Sequence, residues 1–259
     1  MTTRITFHGV ACYELSGPLG RVLLDPFFTG NPVADTTADE LPAPDVVLVS
    51  HAAFDHMADA ARIALRTDVP VICGTDTAAL LAEAGVPDSQ IRRTVWGIRV
   101  RIGPILVHPV YCAHWSQAHR ADGTTITGVP MAFVVAVDED LPVYHFGDSA
   151  ITREMELIGQ LHRPAVGLLG VSQPWSLVAE GAGEVATGEM NPTEAALAAE
   201  LLGVRYAIAT HYEDAAHPDV KAFLSAVPAH DSTGGRVALA LRAGQTLVVD
   251  GDAYEVVGP

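Results

Sequence analysis

Short apolar runs separated by turn signals fill the first part of the chain. Arg4-Ile5-Thr6-Phe7 and Cys12-Tyr13-Glu14-Leu15 read as strands, Ser16-Gly17-Pro18 turns the chain, and Arg21-Val22-Leu23-Leu24 is a third strand ending at Asp25-Pro26. Residues 45–50 carry the continuous apolar centre of a buried strand. Strand and helix then alternate: an alanine-rich helix over 58–65, a strand over 69–73, and a helix over 75–84 that Gly85 stops. The β pattern returns over 91–110, and 130–137 with 141–146 predicts a hairpin turned by Asp138-Glu139-Asp140.

A helix over 151–161 and a strand over 165–171 follow. Residues 172–190 contain several glycines, few periodic apolar positions and one large aromatic, Trp175, which predicts a long loop of the kind that often carries function. Asn191-Pro192-Thr193-Glu194 suits the first turn of a helix over 195–202 that Gly203 ends. A strand over 204–210 stops at His211, a helix is predicted over 218–227, and 236–241 with 246–249 form a last pair of strands. Each half thus runs from several strands into alternating strand and helix, which suits two packed sheets with helices outside. No low-complexity linker divides residues 1–259, so the chain reads as a single domain.

Composition narrows the function. Hydrophobic residues make up 49% of the chain and charged ones 18%, enough apolar material for a large core. Fifteen Lys and Arg against thirty-one Asp and Glu give a net charge of −16, which repels nucleic acid and anionic lipid. Cys12, Cys73 and Cys112 are far apart and without a CxxC pair, so a reducing, cytoplasmic setting is expected rather than a disulfide framework or a thiolate zinc site. The N terminus lacks the apolar core of a signal peptide, and no run approaches the roughly eighteen apolar residues of a membrane span. A small-molecule substrate is the expected partner, and the sequence leaves homo-oligomers open.

The chemistry is concentrated where strands end. Ser50-His51-Ala52-Ala53-Phe54-Asp55-His56 follows the strand over 45–50; His114 follows 105–110; Asp148 follows 143–146; His211 follows 206–209. Strand ends on one sheet edge can converge on one cleft. Three imidazoles and a carboxylate, joined by Asp55 and His56, form an N/O ligand set suited to zinc, manganese or iron. Each piece also has a plainer reading. Ser50 suits an N-cap with Asp55 at a helix start, Asp148-Ser149 resembles another cap, and His114 and His211 alone resemble ordinary loop histidines. The joint occurrence at four strand ends favours one site.

HAAFDH resembles the H-x-H-x-D-H signature of the metallo-β-lactamase fold, and His114, Gly147-Asp148-Ser149 and His211-Tyr212 follow in the order of that superfamily's later motifs. Over nearly the whole chain the sequence is most similar to the small metal-dependent hydrolase branch that includes the L-ascorbate-6-phosphate lactonases. The resemblance implies an α/β fold, a four-layer αββα sandwich of two mixed sheets. It places His51 and His114 at a first metal position, Asp55, His56 and His211 at a second, and Asp148 between them. It further implies hydrolysis of an ester, lactone, amide or phosphoester by a metal-activated water, with Asp55 or Asp148 orienting that water. Trp115, His119, Trp175 and Tyr212 are candidate substrate contacts, each of which also suits simple packing or solvation.

Two positions depart from the pattern. Ala53 stands where the signature has its second histidine, so one tightly held ion and a second, weaker one are expected. Val10 stands where relatives often carry histidine, with His8 as a candidate replacement from the same face of an extended strand. Ala53 is equally compatible with a one-metal enzyme, with a non-catalytic ligand-binding or regulatory protein on a degenerate hydrolase fold, and with a substitution that inactivates a dinuclear enzyme.

Overall fold

A computed structural model describes residues 2–139, 141–172 and 189–259. In chain order its elements begin β1 (Thr2–Phe7), β2 (Tyr13–Gly17), β3 (Gly20–Leu24), β4 (Val46–Leu48), α1 (Phe54–Met57), α2 (Ala60–Thr67), β5 (Val71–Cys73), α3 (Thr75–Glu83) and β6 (Ile91–Arg93). They continue with β7 (Val100–Ile102), β8 (Ile105–Val110), β9 (Ser116–His119), β10 (Thr125–Gly128), β11 (Ala132–Ala136), β12 (Val143–His145), α4 (Glu154–His162) and β13 (Val166–Gly170). Last come α5 (Pro192–Leu202), β14 (Tyr206–Thr210), α6 (Pro218–Ala229), β15 (Val237–Leu239), β16 (Thr246–Asp250) and β17 (Ala253–Val257).

Two mixed sheets face each other, ordered β17-β16-β1-β2-β3-β4-β5-β6 and β15-β14-β13-β12-β11-β8-β7. In each sheet the antiparallel pairs lie towards one edge and the parallel pairs towards the other: β3 to β6 pair in parallel in the first, β12 to β15 in the second. The alternation in β1 turns Ile5 and Phe7 inward, where they join Tyr13, Leu15, Val22 and Leu24. Phe133, Val135, Val143 and Leu168 of the second sheet belong to the same buried cluster, which also takes in α4, α5 and α6. A second cluster joins the outer face of the first sheet, through Val47, Val49 and Val71, to Ile63 of α2 and Leu81 of α3. The α/β architecture is thus helices, sheet, sheet, helices.

Helix α5 starts where its sequence specifies. The Asn191 side chain accepts from the Thr193 and Glu194 N–H groups at 3.0 Å each, and Glu194 Oε2 accepts from Asn191 N–H at 2.9 Å, a reciprocal cap with Pro192 in the first turn. Two elements differ from expectation. Residues 116–128, over which the sequence pattern predicts no element, form the β9–β10 hairpin, whose polar, weakly buried positions hide the strand period. β17 extends the first sheet beyond β16 as an exposed edge strand, and exposure on both faces removes the apolar signal.

Candidate metal centre

The first ligand loop leaves β4 and turns into α1, which places Asp55 and His56 on adjacent buried positions. Ala53 is the residue before this helix and makes no side-chain cap, so neither it nor Ser50 caps the helix. Ser50 instead gives its N–H and its hydroxyl to Asp25, 2.7 Å each. Asp148 follows β12 through Gly147, and both residues have left-handed backbone, φ +64° and +56°. Asp148 does not cap α4, whose N-cap is Arg153. His211 follows β14 at φ +63°, with its N–H bound to Val10 O at 2.8 Å. The donors therefore do not share one sheet edge, as the sequence suggested. His51, Asp55 and His56 come from the end of the first sheet, and His114, Asp148 and His211 from the second, so the cleft lies between the layers.

Four donors meet there. His56 Nε2 lies 3.0 Å from Asp148 Oδ2 and 3.7 Å from Asp55 Oδ2. His211 Nε2 lies 3.5 Å from Asp55 Oδ2 and 3.6 Å from Asp148 Oδ2. Ligand bonds of about 2.0–2.1 Å at a tetrahedral ion put donors about 3.3 Å apart, close to these four His–Asp separations, although Asp55 and Asp148 fall in different ligand sets. His51 Nε2 adds a fifth donor 3.7 Å from Asp148 Oδ2. The Nε2 atoms of His51, His56 and His211, and Asp148 Oδ1, are buried without a hydrogen-bond partner among the described residues. Unpartnered buried polar atoms are rare and destabilising, and three imidazole nitrogens converging on Asp148 Oδ2 are accounted for by a cation. Three sets of ligand atoms lie mutually within 4.8 Å: His51, His56 and Asp148; Asp55, His56 and His211; Asp148, Glu189 and His211.

The far sides of the imidazoles are fixed. His56 Nδ1 meets Asp25 Oδ2 at 2.7 Å, His51 Nδ1 meets Ser50 Oγ at 3.0 Å, and His211 Nδ1 bonds Ser172 O at 3.1 Å with Glu189 Oε2 at 2.8 Å beside it. A proton held at Nδ1 by a carboxylate leaves the Nε2 lone pair facing the cleft, the arrangement that metal-binding histidines use. Asp25, wholly buried, also takes His145 Nε2 at 2.6 Å. The sequence reading missed Asp25, His145 and Glu189. Asp25 follows the apolar run of β3 and His145 is the last residue of β12, so both were open to the strand-end rule, whereas no pattern marks Glu189.

The electrostatics favour a bound cation. Burial pulls the imidazoles of His56 and His211 down, but Asp148 with the surrounding carboxylates outweighs it and raises both well above the ordinary range. Burial opposes ionisation of Asp148 too, and His211 and His56 overcome it, holding that carboxyl well below the usual value. His51 behaves oppositely: burial and then the neighbouring His56 depress it to about 3, leaving a neutral ring at neutral pH. Burial lifts Glu189 to about 7 against the pull of His211.

The other expected residues fall outside the four-donor cluster. His114 is half-buried with its ring edge-on to His51, centroids 5.1 Å apart, and it joins none of the three ligand sets. Trp115 and His119 are exposed on the β9 side of a groove that begins at Ala53 and Asp55. Tyr212, expected to touch substrate, is instead buried and donates its hydroxyl to Leu241 O at 2.6 Å, packing on Phe7. His8, expected to replace the histidine absent at Val10, pairs its Nδ1 with Asp35 at 2.8 Å and joins none of the ligand sets. Trp175 lies outside the described residues.

Two facing mixed sheets, outer helices and a His/Asp cluster at the sheet ends define a metallo-β-lactamase-fold metal-dependent hydrolase. Residues 20–212 match the family described as Beta-lactamase superfamily domain. The chain is 35% identical over 212 residues to a UPF0173 metal-dependent hydrolase of Rubrobacter xylanophilus, covering 81% of each chain. It is 36% identical over 212 residues to one of Nitratidesulfovibrio vulgaris, covering 82% of this chain and 81% of that one. In three dimensions it is similar to Igni18, a metallo hydrolase of Ignicoccus hospitalis, with TM-score 0.75 and 23% identity over 96% of this chain and 99% of that one. The metallo-β-lactamase fold protein YhfI of Bacillus subtilis gives TM-score 0.65 at 14% identity, covering 96% and 99%. The chain belongs to the UPF0173 metal-dependent hydrolases of the β-lactamase superfamily. Among the described residues no helix is long and apolar enough to cross a membrane.

Proposed function

We propose that this hydrolase cleaves a small-molecule ester, lactone, amide or phosphoester at a centre that holds one divalent metal tightly and a second weakly. The approach of His56 Nε2 and His211 Nε2 to both Asp55 Oδ2 and Asp148 Oδ2, at 3.0–3.7 Å, carries this reading. The N/O donor set suits zinc, with manganese or iron as alternatives. A divalent ion supplies Lewis acidity and lowers the pKa of water from 15.7 to about 7. Asp55 and Asp148, both held ionised, accept hydrogen bonds and orient the attacking water. His51, a neutral ring whose Nε2 has no partner among the described residues, is available as a ligand beside Asp148.

At the weaker position, His51 and Asp148 are available with His114 alongside, and Ala53 offers a methyl group in place of a third imidazole. Metal analysis of the purified chain tests the scheme. One equivalent is expected to survive dialysis, and Asp148→Asn should lose both that equivalent and turnover. Two equally tight equivalents, or full turnover in Asp148→Asn, would refute it. Ala53→His should raise the retained metal towards two equivalents.

A further inference from the structure

A groove of about 600 Å³ adjoins the metal centre through Asp55, the one cluster donor among its lining residues, with Ala53 beside it. Phe54 and Ala58 line it beside the ligand loop, Leu80 and Ala84 of the α3 region form one wall, and Trp115 and Ala118 form the other. Its volume is in the range of small-molecule sites, about 300–1,000 Å³. Phe54 is 57% exposed and Trp115 65%, so two large apolar side chains face solvent beside a hydrolytic centre. Such exposure is unfavourable until an apolar partner covers it.

The wall carrying Trp115 and Ala118 is tied to the ligand loop. Ser116 Oγ accepts from Ala52 N–H at 2.9 Å and donates to Asp76 at the start of α3, so both walls and the ligand loop share one anchor. Ala53 lines the groove as well as the first ligand loop, and a larger side chain there would intrude on the passage between them.

Charge selects the occupant. Among the described residues no Lys or Arg lines the groove, and the polar side chains that do are Asp55, Gln117 and His119. The nearby Arg120 turns its guanidinium to Glu83, with Nε 3.0 and 3.1 Å from the carboxylate oxygens. The sequence contains no Lys or Arg between Arg163 and Arg205, a span that includes residues 173–188. A phosphate or carboxylate tail would enter a net acidic cleft without a cationic partner, whereas an acyl chain or aromatic ring would cover Phe54 and Trp115.

We infer that the substrate is a neutral ester, lactone or amide whose apolar chain or ring lies in this groove, with the scissile group at the Ala53–Asp55 end. The inference rests on hydrolysis at the metal centre, and two measurements separate the two ideas. The first uses the metal-free full chain and the neutral probe N-phenyl-1-naphthylamine, with its fluorescence titrated against wild type, Ala84→Trp and Ala118→Trp. These substitutions fill the groove from opposite walls at a distance from the metal ligands, and each is expected to weaken probe binding at least fivefold. The second uses metal-loaded enzyme and 4-nitrophenyl esters from acetate to decanoate. Wild type should prefer octanoate to acetate by at least 30-fold in kcat/KM, and either substitution should cut that ratio at least tenfold with metal content unchanged. Probe binding insensitive to both substitutions overturns the inference whatever the turnover. So does a wild-type preference for 4-nitrophenyl phosphate, or equal rates across the ester series. Substitution-sensitive probe binding without turnover of any ester supports the apolar occupant and refutes ester hydrolysis at the centre.

Discussion

Asp25→Asn tests whether the buried carboxylate behind His56 sets the state of the metal site. Asp25 Oδ1 accepts from Ser50 N–H, and Oδ2 takes Ser50 Oγ, His56 Nδ1 and His145 Nε2, all at 2.6–2.7 Å. Burial alone would push this carboxyl up; the His56 and His145 imidazoles outweigh it and hold it well below the ordinary range. An asparagine offers one acceptor and one donor in the same space. If its amide NH₂ faces Ser50 N–H, two donors collide. If it faces the imidazoles, His56 must move its proton to Nε2 to accept, and its lone pair is then withdrawn from the metal.

Both orientations have measurable consequences. Removing one partner of a buried, hydrogen-bonded charge cluster costs about 3–5 kcal/mol. Urea denaturation of the metal-free chain should show this as a lower midpoint at unchanged slope. Loss of a carboxylate behind a ligating histidine weakens metal binding by about 10- to 100-fold, read by chelator competition. Imidazole ¹⁵N shifts then report which nitrogen of His56 bears the proton. A stability change below about 1 kcal/mol, the typical net worth of an ordinary hydrogen bond, together with unaltered metal affinity, would refute the reasoning.

Three further outcomes follow. Glu189→Gln should weaken metal binding about tenfold by removing the charge beside the Nδ1 proton that His211 shares with Ser172 O, measured by the same competition. Gly147→Ala should destabilise the chain by about 2 kcal/mol or more, since φ is +56° and an added Cβ meets the Met131 carbonyl; an unchanged thermal midpoint would count against that contact. Glu200 is held below its ordinary value by the Ser232 hydroxyl and by Arg236, so it is ionised in the fold at pH values where the unfolded chain takes up a proton. Its contribution is therefore present above the unfolded value of 4.5 and is lost as pH falls through the folded one. Glu200→Gln should flatten that acid limb in pH-dependent denaturation.

The sequence made the fold legible where period and punctuation agree, as at Asn191-Pro192-Thr193-Glu194 before α5 and in the apolar run of β4. It failed at β9, β10 and β17, whose faces are too exposed to carry a hydrophobic period. The donor residues were readable because each follows a strand. Their supports were harder to read: Asp25 follows β3 as the donors follow their strands but stands before a proline, where it resembles a turn residue, and Glu189 reaches His211 from across the chain. Tyr212 misled because an aromatic next to a ligand looks like a substrate contact, whereas its hydroxyl is used up on Leu241 O.

The strained backbone shows what that tyrosine and its neighbours do. Among the described residues six non-glycine residues have positive φ, and two of them, Asp68 and Arg163, are helix C-caps. The other four are Val10, Asp25, Asp148 and His211: two cluster donors, the carboxylate behind His56, and the residue whose carbonyl holds His211. Each such residue costs about 1–3 kcal/mol and persists only when its surroundings over-determine it. Val10 is the least natural, being β-branched, and it is bridged to Tyr212 while its carbonyl accepts from His211 N–H and, at 2.9 Å, from Thr210 Oγ1. Tyr212 therefore serves the site from the core, pinning the strand end that aims His211. Because the sheets already hold the donors in place, little ordering remains for a metal to induce. The metal-free chain is then expected to be folded, and added metal to raise its stability only by the mass-action term RT ln(1 + [L]/Kd). A metal-dependent folding transition would mean that the strain is not borne by the sheets.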